Sequence, residues 1–212
     1  REGRRSAPSA GKSGIFMQGR ATMREGEFRD PSGCAISGVI DRSGRRMSGA
    51  CMIDSIATMH DRSNGLGGGF AGYGIYPEFK DYYAFHLFYD DVISKKKTED
   101  FIQRHFDIAF QSAIPTRETK GIGDAPILFR YFVLPDARKL ESRELDEEEY
   151  VVRCVNRINT EIRGAFVFPC GKNMGIFKAV GYPEDVGRFY RLDEYEGYAW
   201  TCHGRYPTNT PG

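Results

Sequence analysis

Hydrophobic and polar positions change period several times along the chain, and the changes mark out its elements. The run Cys34-Ala35-Ile36-Ser37-Gly38-Val39-Ile40 reads as a strand, with Ile36 and Ile40 on one face expected to anchor it on a core. Asp41-Arg42-Ser43-Gly44 predicts a turn. From Ser48, a candidate N-cap, the apolar positions Met52, Ile53, Ile56 and Met59 follow helical spacing, and Asn64-Gly65 supply a stop. Further on, 82–89 is strand-like, 95–110 helix-like and 126–134 a strand. Then 147–162 reads as a helix and 165–168 as a strand, which a turn at 171–175 joins to a strand at 174–180. The closing apolar run Tyr198-Ala199-Trp200 reads as a strand passing into a loop.

The β-α-β-α-β-β order across about 82–180 predicts a split βαβ, ferredoxin-like module inserted into a larger α+β domain. Its nearly uninterrupted apolar strands imply burial on both faces. Residues 1–33 differ: they are rich in Arg, Ser and Gly, contain Pro8 and Pro31, and have few large apolar residues, the composition of a disordered segment. Three readings of it stand: a removable propeptide, a transit-like sequence, or upstream sequence before a start at Met23.

Composition is that of a globular domain: 212 residues, 40% hydrophobic and 13% aromatic, suffice for a substantial core. A net charge of +1 argues against a nucleic-acid or membrane-surface partner. The sequence has no apolar run long enough to span a bilayer. Five cysteines, an odd count without a CxxC pair, favour free thiols and a cytoplasmic setting.

Two apparent nucleotide motifs fail on context. Gly11-Lys12-Ser13 has Ser6 where a phosphate loop needs glycine. Gly67, Gly69 and Gly72 match GxGxxG, but they follow a helix and lead into a strand, the reverse of a dinucleotide fold. They are read instead as a glycine-lined turn. Tyr76, Tyr82, Tyr83 and Tyr89 have no basic stripe beside them and read as core strands rather than a base-stacking surface. His60 reads as a capping or hydrogen-bonding residue. His86, His105, Cys154 and Cys170 show no metal pattern.

Cys34 carries the candidate chemistry. A cysteine opening a strand is ordinarily a small buried hydrophobe. If the chain is cleaved before it, however, the residue gains a free α-amine with a pKa of about 7.7–8.0 beside a thiol near about 8.5. One residue then holds both nucleophile and proton acceptor, and no separate histidine base is needed.

At the other end, His203-Gly204-Arg205-Tyr206-Pro207-Thr208 resembles the His-x-Arg-aromatic-x-Thr signature of the class II glutamine amidotransferases. Cys34-Ala35-Ile36-Ser37-Gly38 resembles the Cys-Gly-Ile-x-Gly opening of that family, with Ala35 where many members have glycine. The stretches 59–71, 171–175 and 181–185 are similar to the glutamate synthase-related branch, so the resemblance covers 34–212.

The resemblance implies a four-layer αββα N-terminal nucleophile hydrolase sandwich, two antiparallel sheets between helices, with Cys34 starting a central strand. It implies catalysis by Cys34 and binding of the glutamine α-carboxylate by Arg205, whose planar fork suits a carboxylate, with Thr208 holding the same substrate. Glutamine would be hydrolysed through a γ-glutamyl thioester, and the ammonia delivered to a glutamate synthase-type subunit or domain. No cofactor is implied in this domain; flavin and iron-sulfur centres would belong to that partner. The family's oxyanion-hole Asn-Gly pair and its amine-binding acid follow the arginine motif. The chain ends before either, so it is expected to be the N-terminal part of a longer domain, truncated at its C-terminus and of little glutaminase activity alone.

Two other classes stay open on the residues. One is an unprocessed, non-catalytic binding or regulatory module with Cys34 internal. The other is a different N-terminal nucleophile amidohydrolase, for which the Arg205–Thr208 clamp has no explanation.

Overall fold

A computed structural model describes residues 34–123, 125–141 and 145–204. The chain in order forms β1 (Ala35–Ile40), β2 (Met47–Ser48), α1 (Ala50–Ala57), β3 (Gly68–Tyr73), β4 (Tyr83–Tyr89), α2 (Val92–His105) and β5 (Phe106–Ala113). It continues through β6 (Ile127–Pro135), α3 (Ala137–Glu141), α4 (Glu147–Glu161), β7 (Ala165–Val167), β8 (Met174–Ala179), α5 (Pro183–Phe189), β9 (Glu196–Gly197) and β10 (Ala199–Gly204). The fold is α+β and every strand pair is antiparallel.

The first sheet has the order β1-β10-β3-β8. Its inward positions, Phe70, Phe177, Trp200 and Cys202, pack with Met52, Ile53 and Ile56 of α1 and Val186 of α5. Gly72 is required there: a Cβ would lie 2.6 Å from the Trp200 ring. Two expectations fail in this sheet. Among the described residues β1 is an edge strand, not a central one. Ile36 and Ile40, expected to anchor it, are 70% and 66% exposed. The helices lie on the opposite face, where Ala35 is buried and Ser37 Oγ meets Ser55 Oγ of α1 at 2.6 Å. Small side chains therefore take the helix-facing positions, and the isoleucines face away.

The second sheet, β5-β6-β4-β7, is built from two interleaved β-α-β units, β4-α2-β5 and β6-α4-β7. Over 83–167 the order is β-α-β-β-α-β, a split βαβ arrangement that differs from the β-α-β-α-β-β order expected across about 82–180, because β5 is an additional strand and β8 belongs to the first sheet. Phe85, Leu87, Tyr89, Tyr131 and Val133 pack beneath α2 and α4, while Ala84 and Phe132 join the core of the first sheet. Burial on both faces of β4 matches its sequence, apolar or aromatic at every position but His86.

The boundaries differ from expectation in three places. The helix expected over 95–110 starts earlier and ends at His105, and 106–113 is a strand of its own. Asp91 and Ser94 form a reciprocal capping box that fixes the start. The strands β7 and β8 are not a hairpin: β7 pairs with β4 and β8 with β3, so the 171–175 turn carries the chain from one sheet to the other. Helix α1 ends at Ala57, ahead of Asn64-Gly65, with a 3-10 turn over His60–Arg62 in between. Ser48 is not its N-cap, although its Oγ accepts from the Ala50 amide at 3.1 Å.

Candidate functional site

The start of β1, the end of β10 and the start of β3 meet at one corner of the first sheet. The register pairs Ala35 with Gly204 and Gly204 with Gly68. Residues far apart in sequence thus become neighbours: Ala35 follows Cys34, and Gly204 precedes Arg205. Arg205 and Thr208 themselves lie outside the described residues, as do 1–33, on which the leader reading rests.

Cys34 is exposed. By the two-residue period it shares the face of Ile36 and Gly38. Ladder rows on that face are Ile36–His203–Gly69–Lys178 and Gly38–Thr201–Ala71–Ile176. They floor a groove of about 1050 Å³, walled by Leu66, Phe88, Leu128 and Tyr190 among others. Its lining is mostly apolar, with His203, Lys178 and Thr201 as polar points. The glycine-lined turn expected at 67–72 is mostly strand, since Gly69 and Gly72 lie within β3, and Gly67, Gly68 and Gly69 line this groove. Glycine is needed at Gly68, where a Cβ would come within 2.7 Å of Pro183 Cα, because the start of α5 packs directly on the strand.

The other cysteines are placed differently. Burial pushes the Cys202 thiol up to about 11, which disfavours the nucleophilic thiolate at neutral pH. Burial also raises Cys170, and partial burial raises Cys51 in α1. Cys154 is on the buried face of α4, in the second core. Among the described residues no group of three or more His, Cys, Asp or Glu side chains comes together to hold a metal ion, and no helix is long and apolar enough to cross a membrane.

Sequence reasoning missed two polar clusters. In the first, His60 Nδ1 and Glu184 Oε1 lie 2.5 Å apart, and the His60 ring stacks on Tyr182 at 4.1 Å. His60 was expected to hydrogen-bond, but its partner lies 124 positions away, with no local signal linking the two. In the second, His86 is fully buried, with Nδ1 3.0 Å from the Ile176 carbonyl and Nε2 2.8 Å from Tyr76 Oη. The carbonyl can only accept, so Nδ1 carries the proton and Tyr76 donates to Nε2. Arg130 donates to the hydroxyls of Tyr76, Tyr195 and Ser112. Burial, reinforced by the Arg130 charge, pushes His86 down to about 4. This cluster lies between the two sheets and has no reactive group exposed to solvent.

No family model matches the chain. A protein of Archaeoglobus fulgidus, described only as uncharacterized, is 46% identical over 187 residues. The match takes in 87% of this chain but 49% of that protein, so the chain spans about half the length of the curated relative it matches.

Proposed function

We propose that the chain is the nucleophile-bearing part of a class II glutamine amidotransferase of the glutamate synthase-related type. On this reading the α+β fold is an N-terminal nucleophile hydrolase sandwich, and the second sheet with α2 and α4 is a ferredoxin-like insertion. The observation that carries the reading is the Ala35–Gly204 pairing, which joins the residue after Cys34 to the residue before the Arg205 motif. Two motifs at opposite ends of the sequence need that proximity if they serve one substrate.

The groove beside them supports the reading. Cys34 lies two residues before Ile36, which lines the groove, and the mostly apolar lining suits the methylenes of a glutamine side chain. Cys34 Sγ attacks the side-chain amide carbon. Its proton passes to the α-amine freed by cleavage and from there to the departing ammonia, leaving a γ-glutamyl thioester for water. Arg205 holds the substrate α-carboxylate in a bidentate grip, with Thr208 beside it. Ammonia goes to a synthase-type subunit or domain, which carries the redox centres.

The test uses protein purified from its complete reading frame. Intact mass and N-terminal sequence should show a mature chain beginning at Cys34. The glutamine-like electrophile 6-diazo-5-oxo-norleucine should add once, at Cys34; glutamine should block the addition, and Cys34→Ala should abolish it without loss of stability. A chain that keeps residues before Cys34 and takes no label has no terminal amine, and the binding-module reading replaces this one. Labelling that glutamine does not block assigns the thiol to another amide substrate.

A further inference from the structure

Two buried oxygens, Ser63 Oγ and Glu184 Oε2, have no hydrogen-bond partner among the described residues. Their residues are 5% and 7% exposed. Leaving a buried acceptor unmatched costs about 1–3 kcal/mol, and more for a charged group, so such a pair calls for a donor. The other carboxylate oxygen of Glu184 is already taken by His60, whose ring Tyr182 fixes by stacking. The carboxylate is therefore oriented, with one oxygen engaged and one idle.

The cluster borders the chain segment that cleavage would free. A methyl group placed on Gly204 would meet Pro183 Cγ at 3.0 Å, Ser63 Oγ at 3.3 Å and Ala35 Cβ at 3.4 Å. The hydroxyl, the residue before Glu184 and the residue after Cys34 thus converge on one point. Among the described residues the cluster contains no lysine or arginine paired with Glu184. A primary amine carries several N–H donors and, once protonated, a positive charge, which is what a carboxylate and a hydroxyl together match.

We propose that Glu184 and Ser63 are positioning residues for the α-amine of processed Cys34, receiving it after cleavage and holding it beside its own thiol. The inference rests on the amidotransferase reading. When Sγ–H gives its proton to the amine, the products are a thiolate and an ammonium. Glu184 stabilises the ammonium, so the carboxylate favours the reactive ion pair without touching the substrate. His60 keeps the idle oxygen aimed at the amine. Before cleavage the amine does not exist, and the two acceptors remain unmatched in the precursor.

The test is carbamylation of the mature protein by cyanate, which reacts with amines only when they are unprotonated; thiol adducts are reversed at alkaline pH before the amine adducts are followed peptide by peptide, with the lysines as internal reference. A neighbouring carboxylate raises an amine pKa by about one unit or more, tenfold in the unprotonated fraction per unit. Glu184→Gln should therefore carbamylate at the Cys34 amine about tenfold faster at pH 6.5, with unchanged lysine rates. Ser63→Ala, which keeps the charge, should change the rate by less than about threefold. Equal rates in wild type and Glu184→Gln, on chains that begin at Cys34, assign the idle oxygens to ordered water and overturn this inference alone. Should Glu184→Gln not fold, wild-type Cys34 amine titrating at or below the ordinary terminal range overturns it equally. A chain that is never cleaved before Cys34 overturns both this inference and the reading beneath it.

Discussion

The two four-stranded sheets are built on different principles. Around the second, helices are long and well terminated: Asp91 caps α2 in a reciprocal box and Asp146 caps α4 through the Glu149 amide. Their outer faces carry i,i+4 ion pairs such as Lys96–Asp100 and Arg157–Glu161, each a small contribution. The central strand β4 is buried on both faces. Around the first sheet, α1 and α5 are short and have no side-chain caps. Glycines line its strands, and one face opens on a groove with Ile36 and Val180 exposed. Local propensity holds one half, whereas the other depends on close packing around a few large side chains. The candidate chemistry lies in the second kind, where open surface and small residues leave room for a ligand.

That contrast can be broken most directly at Trp200. It is fully buried, donates from its indole to the Met47 carbonyl at 3.1 Å, and fills the space that Gly49, Gly72 and Gly197 leave. Trp200→Ala should cost about 3–5 kcal/mol, read as a shift in the urea midpoint by circular dichroism. A cost below about 1 kcal/mol would mean that the first sheet does not depend on this packing.

Next in size is the joint between the sheets at His86. In the unfolded chain an imidazole titrates near about 6.5, and in the fold His86 is pushed down to about 4. The native state thus prefers the neutral ring. Its contribution is complete above the unfolded value and is lost as pH falls from about 6.5 toward 4, a total of about 3 kcal/mol. His86→Gln should flatten that part of the stability–pH curve, measured by urea titration at each pH. An unchanged slope would place the acid-sensitive group elsewhere.

The smallest effect is expected at the open face. Ile36→Thr should change stability by no more than about 0.5 kcal/mol, since its side chain is mostly in water. If the amidotransferase proposal holds, it should nevertheless weaken glutamine protection of the Cys34 label, because Ile36 lines the groove.

Much of the fold was legible in local patterns. The β4 and β6 runs and the helix over 147–161 follow from period and capping chemistry. What local pattern does not contain is the partner of each strand. Ile36 and Ile40 are as apolar as core residues, and only the location of α1 and α5 decides which face of β1 is buried. The helix expected through 110 overran because neither a glycine nor a proline marks its end at His105; the backbone simply becomes extended at Phe106, with φ −139° and ψ 149°. Motif resemblance singled out Cys34 and Arg205 as candidates, whereas the pairing of Ala35 with Gly204 came only with the fold. The His60–Glu184 pair was not legible, because a hydrogen bond between distant segments leaves no periodic trace.

The indole held among three glycines has one more consequence. Trp200 is the protein's only tryptophan, so its fluorescence comes from the first sheet alone, while far-ultraviolet ellipticity is weighted toward α2 and α4. Following both signals through one denaturant titration would separate the unfolding of the two sheets. A ligand entering the groove would report on itself optically, without any added dye.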